Sequence, residues 1–154
     1  MVDTILVREW MTSPVVTVSP LTLISHAHQK MKEYGIRRLP VVEGGKLVGI
    51  ITLGDIREAS PSDATSLSIW ELNYLWSQLT VEKVMTRKVI TIRPDTSIID
   101  AAEIMLRNKV SGLPVVDDQG QLVGMLTESD IFKMLIASRE RLKILSEVPN
   151  DVKG

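Results

Sequence analysis

The chain contains no cysteine among its 154 residues. Disulfides, thiolate metal sites and cysteine nucleophiles are therefore excluded, and the absence fits a reducing cytoplasm. An excess of charge is missing as well: 18 basic and 19 acidic side chains leave a formal net charge of −1. So balanced a chain exerts no long-range pull on polyanions or acidic lipid. That disfavours a nucleic-acid partner and leaves any anion to a local patch. Long hydrophobic runs are also absent. Nowhere do apolar residues continue for the roughly eighteen that a membrane helix needs. "MVDTILVREW" likewise lacks the apolar centre of a secretory signal. The expectation is a soluble, cytoplasmic protein with no membrane partner.

Catalytic signatures are missing too. No Ser-His-Asp set, metalloprotease helix or dinucleotide fingerprint occurs. His26 and His28 stand two residues apart on a predicted helix, point to different faces and cannot chelate one ion, so they read as surface histidines. "EGGK" (Glu43 to Lys46) lacks the frame of a phosphate loop and reads as a hairpin turn. Neither a catalytic residue nor a metal site is expected. What is present is ordinary globular composition, 44% hydrophobic and 24% charged, in a length that suits one domain or two small ones sharing a core.

The chain is written twice. When Val7 is laid on Val81, Met11 falls on Met85, Thr12 on Thr86, Pro20 on Pro94, Ala27 on Ala101 and Met31 on Met105. "LPVV" from Leu39 meets "LPVV" from Leu113. After one extra residue in the second copy, "LVGIITLGDI" (Leu47 to Ile56) meets "LVGMLTESDI" (Leu122 to Ile131). Each copy reads β-α-β-β-α, an α+β class. "VVTV" (Val15 to Val18) and "VITI" (Val89 to Ile92) are short β-branched strands. Thr22 and Thr96 stand where a helix N-cap belongs. Ile24, Ala27, Met31 and Tyr34 share a helical face, as do Ile98, Ala101 and Met105. "LPVV" and "LVGII" or "LVGML" then form a hairpin, and a second helix follows from Asp55 and from Asp130. A unit of about fifty residues is near the lower limit for its own core, so the copies should pack together.

The expected divisions are a first repeat over 7–58, a helical linker over 59–80, a second repeat over 81–136 and a helical tail over 137–154. Of the six aromatics, Trp70, Tyr74 and Trp76 fall in the linker, where Leu72, Trp76 and Leu79 form one stripe with Ile69 leading in. Such a segment should be buried, either on its own domain or in a subunit interface. The tail reads as a long helix from Ser129 to about Ser146, with "SRERLK" solvated.

The repeated junction admits two readings. Thr52 and Thr127 are natural N-caps, and Asp55 and Asp130 fall at N3, where a carboxylate offsets the helix dipole. Yet Gly49 and Gly124 lie inside apolar strands, where glycine suggests close approach by a backbone or ligand. A hydroxyl and a carboxylate at such a junction can also grip a vicinal diol, since ribose hydroxyls donate and the carboxylate accepts both.

Strand, helix, "LPVV", glycine turn and Leu-Val-Gly…Thr-x-x-Asp-Ile, in that order and twice, resemble a tandem pair of CBS (cystathionine-β-synthase) domains, a Bateman module. The likeness runs from Val7 to about Leu135 and includes the Met-Thr pair before the first strand of each copy. Ser60 to Thr86 resembles the linker of AcuB-type acetoin-utilisation regulators. The resemblance implies two repeats packed about a pseudo-twofold axis with two clefts for an adenine nucleotide, AMP, ADP or ATP, and no other cofactor. One cleft would join Thr127 and Asp130 to Val15, Val16 and the stretch Ile36, Arg37, Arg38 and Pro40. The other would join Thr52 and Asp55 to Val89, Ile90, Val110, Ser111, Gly112 and Pro114. Arg37 and Arg38 would neutralise phosphates, or else serve as a solvated helix end. The resemblance further implies a homodimer as a four-repeat disc, and a non-catalytic module that signals energy or metabolite state to an unknown regulated protein. Its rivals are an interaction module with empty clefts and a sensor of S-adenosylmethionine or NADH.

Overall fold

Each repeat closes a hairpin where its apolar runs are separated by turn residues. In the computed structural model, which describes residues 4–60 and 68–139, β1 (Arg38–Glu43) pairs antiparallel with β2 (Lys46–Thr52). Likewise β3 (Gly112–Val116) pairs with β4 (Leu122–Thr127). Glu43 faces Lys46 across Gly44 and Gly45, whose φ angles of 59° and 82° suit glycine in a tight turn. The second turn is held by the Asp117 carboxylate, which accepts from the amides of Gln119 and Gln121 at 2.9 Å each.

The expected first strands are reduced to one parallel bridge apiece, Val18 to Val41 and Ile92 to Val115. Val18 donates to the Pro40 carbonyl and accepts from Val42, and Ile92 does the same with Pro114 and Val116. Prolines 40 and 114 have no N–H for the next rung, so the ladder stops there. Val15, Val16 and Val89 are left half-buried and Ile90 exposed, outside any ladder.

Before the hairpins lie α2 (Ile24–Tyr34) and α5 (Ile98–Asn108). Their N-caps are Leu23 and Ser97, one residue beyond the expected threonines. Thr22 and Thr96 instead accept from the amides of Ser19 and Arg93, closing the proline turns. Ile24, Ala27 and Met31 are buried, as are Ile98, Ala101 and Met105. Tyr34 is not: it is 56% exposed, because the helix ends at once in left-handed Gly35.

Two cores form, and each borrows from the other copy. Val81, in the short 3-10 turn Val81–Lys83, is buried with Ile24, Leu39 and Ile51 of the first repeat, and its amide donates to Thr22. Val7, in the short α1 (Val7–Trp10), is buried with Ile98, Leu113 and Leu126 of the second repeat, and its amide donates to Thr96. Thr12 bridges Met125, and Thr86 bridges Ile50. This exchange explains the strand glycines. A Cβ on Gly49 would stand 2.6 Å from Met85 Sδ and 3.0 Å from the Thr86 carbonyl, and one on Gly124 would meet Met11 Cγ at 2.9 Å. The close approach is by the preceding segment of the opposite copy.

After the hairpins come α3 (Leu53–Ala59) and α6 (Glu128–Ala137). The linker helix α4 (Ile69–Trp76) is only partly covered. Trp76 and Leu79 pack on the first core, while Ile69, Tyr74 and Trp70, the last 80% exposed, face outward. His28 is half-buried rather than superficial, with its ring 4.7 Å from that of Trp76. The expected tail helix beyond Arg139, including most of "SRERLK", lies outside the described residues, as does 61–67 of the linker. No described helix is long and apolar enough to cross a membrane, and the described residues hold no cluster of metal-ligating side chains.

Candidate functional site

The strand-to-helix junctions set two carboxylates in place. Thr52 caps α3, its amide donating to Asp55 Oδ2 at 2.9 Å while its Oγ1 accepts from the Asp55 amide at 3.0 Å. At the second junction the Thr127 amide donates to Asp130 Oδ2 at 2.9 Å, and the Thr127 hydroxyl donates to the same oxygen at 3.2 Å. In both, a threonine from the exchanged segment approaches: Thr12 Oγ1 lies 3.4 Å from Asp130 Oδ1, and Thr86 Oγ1 lies 3.4 Å from both Asp55 oxygens. Capping and ligand binding are therefore compatible. The cap occupies one carboxylate oxygen and leaves acceptor capacity on the other.

Asp130 is the one charged side chain buried among the described residues, at 5% exposure. A buried carboxylate needs donors, and the one facing Oδ1 is long. Asp130 and Thr127 wall a cleft of about 230 Å³ opposite Val15, Val16, Ile36 and Pro40, with Arg38 and Lys133 also on its walls. A second cleft of about 280 Å³ unites Thr52 and Asp55 with Val89, Ile90, Val110, Ser111, Gly112 and Pro114, again with Arg38 and with Lys88. Each pairs an apolar slot from one repeat with a hydroxyl and carboxylate from the other.

Arg37 does not join the Asp130 cleft. It sits in the bend before β1, is exposed, and lines a separate groove with Arg38 and Arg57. Arg38 lies between the clefts and donates from Nη2 to Ser111 Oγ. Burial lowers its pKa from the usual arginine value and Arg37 adds to the depression, while Glu128 acts the other way. It remains a cation at neutral pH. Gly112 is where the guanidinium lies, for a Cβ there would stand 2.8 Å from Arg38 Nη1. Sequence reasoning also missed Thr12, Thr86, Lys88 and Lys133 as cleft residues. The repeated Met-Thr pair signalled the two threonines. Lys133, one turn after Asp130 on the same helix face, was signalled only by spacing.

Residues 7–62 and 81–137 match the CBS domain. The chain belongs to the CBS-domain family. It is 37% identical over 118 residues to an inosine-5'-monophosphate dehydrogenase of Korarchaeum cryptofilum, covering 77% of this chain and 22% of the enzyme. For two archaeal relatives of uncharacterised role from Methanocaldococcus jannaschii, the chain spans 44% and 46% of their length. Among solved structures, this CBS pair superimposes on CBSX2 in complex with AMP with a TM-score of 0.74 at 28% identity, covering 88% of this chain and 98% of that one. The CBS pair of MJ0100, in complex with 5'-methylthioadenosine and S-adenosyl-L-methionine, gives 0.70 at 33% identity, covering 86% and 97%. A Vibrio cholerae protein assigned to acetoin utilisation (AcuB) gives 0.74 at 26% identity, covering 95% and 98%.

Proposed function

We propose that this CBS pair is a non-catalytic regulatory module that binds an adenine nucleotide, AMP, ADP or ATP, in the clefts between its repeats and passes their occupancy to a partner protein. The observation that carries it is the buried Asp130 carboxylate, set in a cleft with an under-donated oxygen opposite an apolar slot. A ribose diol supplies the missing donors, and a flat base fills the space among Val15, Val16, Ile36 and Pro40. The complexes of CBSX2 with AMP and of MJ0100 with S-adenosyl-L-methionine support an adenosine-bearing ligand. Because each cleft draws on both repeats, a ligand that prefers one spacing of the repeats shifts the population toward it, and that shift is the signal.

The module works in the cytoplasm as a homodimer, joined through apolar side chains such as Leu106 on α5 and Phe132 on α6, which are 83% and 57% exposed. A melting-temperature screen against AMP, ADP, ATP, NADH and S-adenosylmethionine tests the ligand assignment, since a ligand bound only by the folded state raises the midpoint. A rise with AMP, ADP or ATP is expected. A rise with only NADH or S-adenosylmethionine assigns the clefts to another class, and no rise with any leaves an interaction module with empty clefts.

A further inference from the structure

Arg37, Arg38 and Arg57, with Thr52, Leu53 and Gly54, wall a groove of about 470 Å³. The groove shares Arg38 and Thr52 with the Asp55 cleft, so the two spaces adjoin. The Leu53 amide donates to the Arg37 carbonyl at 2.8 Å, which ties the start of α3 to the residue before β1. Arg37 and Arg57 are exposed, and among the described residues none of the three arginines has a carboxylate within ion-pair distance. Like charges gathered in one groove without a counter-ion repel one another. Guanidinium forks match phosphate oxygens in bidentate geometry.

The second copy serves as an internal control. Aligned through the two LPVV runs, Arg37 corresponds to Ser111 and Arg38 to Gly112; aligned through Asp55 and Asp130, beyond the one-residue insertion, Leu53 corresponds to Glu128 and Arg57 to Phe132. The groove beside those residues is apolar, walled by Leu106, Ile131 and Phe132, with one cation, Lys109, and one carboxylate, Glu128. The cationic groove therefore has no counterpart in the second copy; it shares Arg38 and Thr52 with the Asp55 cleft but only Arg38 with the Asp130 cleft. Arg38, hydrogen-bonded to Ser111 on the Asp55 side, adds its charge there.

We propose that the groove of Arg37, Arg38 and Arg57 receives the β- and γ-phosphates of a nucleoside di- or triphosphate whose ribose is held by Asp55. The Asp130 cleft, whose own threonine, Thr127, does not line the cationic groove, takes a nucleoside or its monophosphate. The inference rests on the nucleotide assignment above and adds a division of labour by phosphate count. Thr52 lies in both spaces, so a phosphate chain leaving the ribose passes it and Arg38 into the groove.

Calorimetric titration of the full chain with AMP, ADP and ATP tests this. One of two sites should bind ATP about tenfold or more tightly than AMP, with ADP between. Arg37→Ala with Arg57→Ala alters two exposed side chains. It should abolish that preference while leaving AMP affinity within about twofold. Asp55→Asn should remove the ATP-preferring site and Asp130→Asn should spare it. Equal affinity for ATP and AMP in the unaltered chain overturns the phosphate groove and leaves the nucleotide clefts standing. So does an ATP preference that survives the double variant or is lost with Asp130 instead. No heat with any nucleotide overturns both.

Discussion

Asp130→Asn separates the two duties of the carboxylate. In the folded chain Oδ2 accepts from the Thr127 amide and hydroxyl, and Oδ1 faces the Thr12 hydroxyl and the cleft. Asparagine can keep its oxygen toward the Thr127 amide and turn its NH2 toward Thr12, whose hydroxyl then accepts. The cap survives in that orientation. Losing the negative charge near the start of α6 costs about 0.3–1 kcal/mol, and relief from burying a charge offsets part of it. Stability should therefore change by less than about 1 kcal/mol. Binding should not be spared. The cleft-facing carboxylate oxygen becomes an uncharged NH2, which can no longer accept from either ribose hydroxyl. A charge-assisted hydrogen bond worth about 1.5–3 kcal/mol is lost, on the order of ten- to a hundredfold in affinity. Urea denaturation and calorimetric titration with AMP, run on the same preparation, read the two quantities separately. A variant that binds AMP as tightly as the parent would refute the assignment of Asp130 to the ligand. A loss of several kcal/mol in stability would refute the claim that the cap tolerates the amide.

The strand glycines should differ in tolerance. Gly49→Ala meets the Thr86 carbonyl as well as Met85, whereas Gly124→Ala meets only the flexible Met11 side chain. Gly49→Ala should cost about 1–3 kcal/mol by chemical denaturation and Gly124→Ala less, and the reverse order would count against the exchanged-segment packing. The His28 pKa is lowered, by burial first and then by Lys32 and Arg57. The unfolded chain therefore binds this proton more readily than the folded one, so stability is fully present above pH 6.5, the unperturbed value, and declines as the pH falls below it. Denaturation at pH 7.5, 6.5 and 5.5 should show that decline, reduced in His28→Gln; an unchanged slope in the variant would contradict it. Light scattering should give twice the 17.2 kDa chain mass, and Leu106→Glu with Phe132→Glu should give the monomer. A parent already monomeric at micromolar concentration refutes the interface.

Whatever depends on neighbours along the chain was legible in the residues. The glycine turns, the hairpins and the threonine–aspartate caps all follow from short spacings, because turn geometry and N-capping act over a few residues. Of the cleft residues that the family resemblance implied, all but Arg37 line the two clefts. What the tertiary structure decided are contacts between residues far apart in sequence. Val7 completes the second core and Val81 the first, an exchange invisible to a reading that takes each repeat as one continuous stretch. The expected first strands shrank to single bridges because Pro40 and Pro114 sit where the neighbouring ladder needed an N–H. Arg37 and Arg38, adjacent and chemically identical, parted because Arg38 opens β1 while Arg37 stays exposed in the bend before it. Only the packed pair of repeats gives the two side chains different surroundings. One is the space between two clefts, where Gly112 makes room for a guanidinium. The other is an open groove that Arg37 shares with Arg57 and onto which Arg38 also borders.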